Sequence, residues 1–234
     1  MRTEYSWLLY EAGFWLTRTL LTWGFHYRYE GSQNVPRSGP VLLLANHQSF
    51  LDPPIVGCAI RRHLCFLARK TLFRNRFFAG LIRRLNAVPV DQEGIAKEGL
   101  KTILEELKAG QAVLVFPEGN RTHTGEVQLL KPGILLLIKR IETPIVPIGI
   151  AGAFDALPRT RKWPKLSPFF LPTTGADLAV SIGKPIPAAR YRDMPREQAL
   201  AELREELQRA KERAEHLRRK KSNGSPSHRE KHRK

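Results

Sequence analysis

The sequence is poor in the residues that staple or metallate a fold. Its 234 residues include only two cysteines, Cys58 and Cys65. Two thiols in a chain this long argue against a disulfide framework, and both read as reduced core residues. No Cys/His cluster has metal-ligand spacing, so no metal is expected. Long apolar runs are missing too. The most apolar stretch, residues 5–25, is broken by Glu11 and Arg18. It falls short of the roughly 20 nearly uncharged residues that a membrane-crossing helix needs. No cleavable signal sequence is evident. Several catalytic signatures are absent as well: there is no Gly-x-Ser-x-Gly elbow, P-loop, His-Glu-x-x-His or Gly-x-Gly-x-x-Gly. His26, His63, His123 and His216 stand isolated and read as structural or surface residues.

Acid is scarce relative to base. There are 39 Lys/Arg against 22 Asp/Glu, a net charge of +17. The excess persists when the basic stretch 190–234 is set aside, so the body itself is cationic and suited to anionic partners. The basic residues follow no recognisable DNA- or RNA-binding motif, and no nucleic-acid partner is expected. Hydrophobic residues make up 42%, enough for a real core.

On a helical wheel, Glu4, Glu11, Arg18 and Thr22 form one narrow stripe. Trp7, Phe14, Trp15, Leu20, Trp23 and other apolar residues cover most of the rest. This fits an amphipathic helix over residues 1–29 lying in a bilayer interface, on an anionic, cytoplasmic membrane face. The alternative is a helix packed on the domain itself. A turn-rich connector, Gly31 to Pro40, follows.

Short apolar runs then recur at Val41–Ala45, Leu64–Ala68, Val88–Val90, Ala112–Phe116 and Pro144–Ile150. Runs of this length between turn signals predict buried strands. Helical patterns lie between them, at Pro54–Ile60, Ile95–Leu107 and Gly133–Arg140. The alternation predicts an α/β fold over residues 30–190: a mixed, largely parallel sheet flanked by helices. Residues 158–172, rich in Pro and base, predict an irregular loop. Its apolar tip, Phe169 to Leu171, suits lipid contact, cover for an acyl chain, or plain packing. A charged helix over 191–217 carries a thin stripe of Leu200, Leu203 and Leu207. Residues 218–234 read as a disordered basic tail.

Two polar motifs follow apolar strands directly. The first is Asn46-His47-Gln48-Ser49-Phe50-Leu51-Asp52. In a continuous helix His47 and Asp52 would lie about 140° apart. At a strand-to-helix turn they can meet, and an Asp that accepts from one imidazole nitrogen leaves the other as a base for a substrate hydroxyl. The alternative is a polar turn in which Asp52 caps the helix at Pro53-Pro54. The second motif is Phe116-Pro117-Glu118-Gly119-Asn120-Arg121-Thr122. Arg121 can grip a phosphate through two donors, Gly119 allows close backbone approach, and Thr122 can add a hydroxyl. Glu118 suits aligning Arg121 or a substrate hydroxyl; the alternative is a solvated loop with a local ion pair. Ligand sites of α/β sheets lie beyond the carboxyl ends of strands, so one sheet edge can present both motifs.

With Arg69-Lys70-Thr71-Leu72-Phe73 and Val146-Pro147-Ile148 in the same order, the pattern resembles the glycerolipid acyltransferase family over about residues 30–190. The resemblance implies acyl transfer from a thioester to the sn-2 hydroxyl of 1-acylglycerol-3-phosphate. The donor would be acyl-CoA or acyl carrier protein, and no further cofactor is implied. His47 would be the general base and Asp52 its orienter, and the hydroxyl would attack the thioester directly. Glu118, Gly119, Arg121 and Thr122 would bind the acceptor, with Arg69 and Lys70 as further phosphate ligands and Pro147 shaping the site. Departures from the family pattern are Arg69 in place of Lys, Thr71 in place of Glu, and Asn120 where Thr or Ser is commoner. Another lysophospholipid or an amine-bearing lipid is the alternative acceptor.

Overall fold

The computed structural model describes residues 7–84, 86–90 and 97–219. Strands β2 (Val41–Ala45), β5 (Ala112–Val115) and β6 (Ile145–Ala151) are buried at every residue. That is why they read as unbroken apolar runs rather than alternating ones: helices cover both faces of a parallel sheet. β3 (Leu64–Arg69) and β4 (Ala87–Val90) extend the sheet on one side. β1 (Arg28–Glu30) and β7 (Ala179–Ile182) extend it on the other. The seven-stranded order is β1-β7-β6-β2-β5-β3-β4. β2 pairs in parallel with both β5 and β6, and β3 in parallel with β5 and β4. β7 runs antiparallel to β6, and β1 follows β7. The sheet is therefore mixed and largely parallel.

Side-chain alternation along β2 divides the core. Leu43 and Ala45 face one cluster, with Val146, Ile148 and Ile150, against helices α1 (Trp7–Phe25) and α2 (Asp52–Ala59). Leu42 and Leu44 face the other. There α4 (Lys97–Lys108), α5 (Gly133–Ile138) and α7 (Arg196–Leu217) supply Ile103, Ile134, Leu137, Leu203 and Leu207. Two further helices among the described residues are α3 (Arg76–Arg84) and α6 (Ala153–Ala156). Strands β1 and β7 and helices α3 and α6 are absent from the pattern-based expectation. Ile95, expected in α4, lies outside the described residues, as do residues 1–6 with Glu4.

Helix α1 reverses the usual polarity of a surface helix. Two members of its polar stripe, Glu11 and Arg18, meet the domain while Thr22 stays exposed: His63 Nε2 donates to Glu11 Oε1 at 2.9 Å. Arg18 donates to the Tyr29 hydroxyl at 2.6 Å and to the Cys58 carbonyl at 3.3 Å. Tyr10, Leu21 and Phe25 are buried beside them, while Leu8, Trp15, Leu16, Leu20 and Trp23 face outward. The helix thus packs on the domain, through Glu11 and Arg18 among others, and leaves an apolar face uncovered. Among the described residues, no helix is long and apolar enough to cross a membrane.

Helix α7 is built into the core. Ala199, Leu203, Leu207, Ala210 and Ala214 are buried. The helix sits so close to β6 that a Cβ on Gly149 would lie 2.0 Å from the Ala210 carbonyl carbon. Arg218 and Arg219, expected to open a disordered tail, are ordered instead. Arg218 pairs with Asp155 and Glu215, and Arg219 with Asp177, because buried and half-buried carboxylates and carbonyls wait for them there. The remainder of the tail, 220–234, lies outside the described residues. Gly149→Ala should therefore lose about 2 kcal/mol or more through overpacking. Gly57→Ala, in helix α2 with nothing within 4 Å of its would-be Cβ, should gain up to about 1 kcal/mol. Chemical denaturation of the two variants beside the parent checks both.

Candidate active site

The site grows from the end of β2. Asn46 prolongs the strand with its side chain: its amide donates to the Ile150 carbonyl at 3.0 Å, and the Ile150 N–H donates back at 2.7 Å. The chain then leaves the sheet and turns into α2. The carboxylate of Asp52 gathers this turn. Its Oδ2 accepts from the Gln48 N–H at 2.5 Å, the Ser49 N–H at 2.8 Å and His47 Nδ1 at 2.7 Å. Asp52 thus turns back on the loop, and Leu51 stands at the cap position of α2. Burial pushes the Asp52 carboxyl up from its usual range, while His47 and the two N–H groups pull it down. With Nδ1 fixed, Nε2 of His47 is the nitrogen left for proton transfer. The ring stacks on Phe116, centroids 4.1 Å apart with 17° between planes.

The loop after β5 clasps the same histidine by its backbone. Glu118 Oε1 accepts the His47 N–H at 2.9 Å, and the Thr122 N–H donates to the His47 carbonyl at 2.8 Å. Glu118 Oε2 accepts the Gln128 N–H at 3.2 Å. The Glu118 carboxylate, expected to align Arg121 or a substrate hydroxyl, is buried and committed to these amides. Burial raises it to about 7, against the pull of the two N–H groups. The Thr122 hydroxyl also turns inward, accepting from Gln128 Nε2 at 3.0 Å and the Thr124 N–H at 3.2 Å. Gly119 adopts φ +75, a left-handed conformation that suits glycine. Arg121 lies with its guanidinium carbon 3.5 Å from the centroid of the Phe50 ring. The stack ties the second motif to the first at the side-chain level.

Arg69 ends β3 and Lys70 opens the turn after it, at the same carboxyl edge, next to β5. Pro147 sits within β6 opposite Leu44 and packs near Gly183. Its strand meets the site at Ile150, which bonds Asn46. Five supporting residues carry no role in the sequence-based reading: Asn46, Gln48, Phe50 and Phe116, which lie within its two motifs, and Gln128, which lies outside them. The Gln48 side chain joins the Gly125 carbonyl at 2.9 Å to the Phe154 N–H at 3.2 Å. A polar residue beside His47 that is fully buried is a signal that only burial reveals. Among the described residues, no group of three or more His, Cys, Asp or Glu could hold a metal.

Fold and site together define an α/β enzyme with its polar machinery at the carboxyl edge of parallel strands. A family model described as Acyltransferase matches residues 26–151, more than half of the chain, and the chain belongs to that family. The 1-acyl-sn-glycerol-3-phosphate acyltransferase of Bacillus subtilis is 27% identical over 182 residues, 77% of this chain and 84% of the relative. An N-acylphosphatidylethanolamine synthase of Arabidopsis thaliana is 31% identical over 167 residues, 66% of this chain and 58% of the relative. Against several other bacterial relatives the match covers about half of their length. In structure, the chain is similar to the 1-acyl-sn-glycerophosphate acyltransferase of Thermotoga maritima. The TM-score is 0.70 at 27% identity, over 91% of this chain and 80% of that one.

The raised Glu118 carboxyl gives a signed prediction. Between its ordinary value and about 7, the folded protein keeps a proton that the unfolded chain has released, so stability falls as pH rises through that window and levels above it. Relative to Glu118→Gln, which does not titrate, the parent should lose up to about 3 kcal/mol between about pH 4.5 and pH 7. Denaturant melts at stepped pH measure the difference.

Proposed function

We propose that the enzyme transfers a fatty acyl chain from a thioester donor, acyl-CoA or acyl carrier protein, to the sn-2 hydroxyl of 1-acylglycerol-3-phosphate, giving phosphatidic acid. The observation that carries this reading is the pairing of His47 with a buried Asp52 beside a loop whose Arg121 stacks on Phe50. In the reaction, Nε2 of His47 takes the proton of the acceptor hydroxyl as its oxygen attacks the thioester carbonyl. The tetrahedral intermediate collapses, the C–S bond breaks, and the leaving thiolate recovers a proton from the imidazolium. No covalent acyl-enzyme and no cofactor enter. Asp52 holds the tautomer and faces the cation that forms. Glu118 and Thr122 hold the His47 peptide in place; Arg121 meets the phosphate, with Arg69 and Lys70 next along the edge.

Support for a lipid acceptor comes from the uncovered apolar face of α1, which suits attachment to the cytoplasmic leaflet without spanning it. The cationic body suits an anionic membrane surface and an anionic acceptor alike. A second reading, an amine-bearing phospholipid as acceptor, is favoured by the similarity to the Arabidopsis N-acylphosphatidylethanolamine synthase. The two acceptors differ in what Arg121 would meet. A phosphomonoester presents more free oxygens than a phosphodiester, and the planar guanidinium can bind two at once.

Mass spectrometry of lipid products from purified protein, mixed lysophospholipids and acyl-CoA tests the assignment; phosphatidic acid is the expected product. His47→Ala should cut turnover at least about a hundredfold with the fold retained. Asp52→Asn should also be slow, since the amide can hold the wrong tautomer. Near-normal turnover of the histidine variant would remove the mechanism.

Arg121→Ala should reduce turnover efficiency at least about tenfold on the phosphomonoester, in line with about 1.5–3 kcal/mol for a charge-assisted hydrogen bond. The loss should be smaller on an acceptor without that group. Equal losses on both acceptors would make Arg121 a structural residue of its loop.

A further inference from the structure

The loop between α6 and β7 touches both the catalytic turn and the lipid-suited helix. At its start, the Ser49 hydroxyl donates to the Leu157 carbonyl at 2.8 Å. Arg159 donates to the Arg121 carbonyl at 3.3 Å. Further on, the Ser167 N–H donates to the Gly24 carbonyl of α1 at 2.8 Å, and Phe169 meets Trp23 edge-on with centroids 4.9 Å apart. Its outer side chains are large, apolar and exposed: Trp163 at 81%, Phe170 at 64%, Leu166 and Leu171 at about half. They continue the outward face of α1 across the Trp23 contact.

Charge indicates what covers this surface. Between Asp155 and Asp177 the chain carries Arg159, Arg161, Lys162 and Lys165 and no acidic residue. All four bases are exposed; Arg159, Arg161 and Lys162 precede Trp163, and Lys165 lies between Trp163 and Leu166. Apolar tips bordered by cations fit an anionic phospholipid leaflet, where aromatics enter the acyl boundary and cations meet headgroups.

The loop is also fastened from behind. Arg219, just past α7, donates to the Phe169 and Leu171 carbonyls at 3.1 and 2.9 Å and to those of Ser167 and Pro168 at 3.3 and 3.2 Å. Its Nε is anchored on the buried Asp177 at 2.7 Å. One guanidinium thus collects four carbonyls within residues 167–171, the stretch from which Phe169, Phe170 and Leu171 face outward. A Lys ammonium has fewer donors and no planar fork.

We propose that residues 163–171 form a second lipid-inserting element, held in its inserting shape by Arg219, which seats the catalytic edge against the membrane beside α1. The proposal rests on the membrane attachment of α1 put forward above, and its test separates the two. The chain has four tryptophans, Trp7, Trp15, Trp23 and Trp163. Two full-length proteins are made, each keeping one tryptophan, Trp15 or Trp163, with the other three changed to Phe. Each is mixed with anionic phosphatidylglycerol vesicles whose acyl chains are brominated. Both emissions should be quenched. Quenching of Trp15 alone would overturn the second element and leave α1 attached. Quenching of neither would overturn attachment as a whole, whatever the acyl-transfer activity. A mass doubling without vesicles that Phe169→Ser/Phe170→Ser abolishes would identify a second copy as the occupant instead.

For the clamp, Arg219→Ala in the Trp163 protein should lose most of the quenching. Vesicle affinity should drop at least about tenfold, with activity on detergent-dispersed substrate retained. Arg219→Lys should fall between. Unchanged quenching in Arg219→Ala would overturn the clamp. Should that variant fail to fold, Phe169→Ser/Phe170→Ser, which alters only exposed side chains, must show the same affinity loss for the proposal to stand.

Discussion

The peptide group of one histidine holds the active edge together. His47 gives its N–H to Glu118 and its carbonyl to Thr122, while its ring is held by Asp52 and lies on Phe116. A side-chain hydrogen bond alone leaves an imidazole free to move with its backbone. Here the backbone itself is tied to the neighbouring strand's loop, so the ring has little left to explore. The arrangement demands adjacent parallel strands, because only then do the two loops emerge side by side. It also buries a carboxylate, and the raised Glu118 reflects that desolvation. Buried polar groups left unmade are expensive, so this network tolerates little loosening.

What could be read from the chain follows from burial. The strands β2, β5 and β6 were legible because both of their faces are covered, which writes continuous apolar runs. β1 was not: Arg28, Tyr29 and Glu30 form an edge strand of three residues, with exposed ends and no apolar pattern. β7 hides because its four residues follow a Pro-rich loop and include Ser181. The His47–Asp52 pair was legible as one of two alternatives, since the residue types and the turn permit it. The work of Glu118 was not legible. Its partners are backbone N–H groups, which every residue carries, so no side chain in the sequence announces them. Gln128 lies ten residues further on and is placed by the loop's path alone.

Helix α1 shows why amphipathicity by itself leaves orientation open. A wheel identifies two faces without saying which one meets the domain. Glu11 and Arg18 find partners on His63, Tyr29 and the Cys58 carbonyl, so the charged face is the one that docks. The body thereby satisfies the polar groups of the helix, and the aromatic face is left uncovered.

The contact of α7 with β6 at Gly149 has a consequence for how the enzyme reaches its native state. The groups around the site come from residues near 47, 118, 150 and 159, and Asn46 meets Ile150 across 104 positions of chain. The helix that seals β6 comes later still. Contacts this distant in sequence close slowly, because chain entropy must be lost before they form. Until α7 seats on Gly149, β6 has one bare apolar side, and the turn that presents His47 lacks its final support. Catalytic competence should therefore be among the last properties the folding chain acquires, and the interval before it is when chaperones would find a surface to hold.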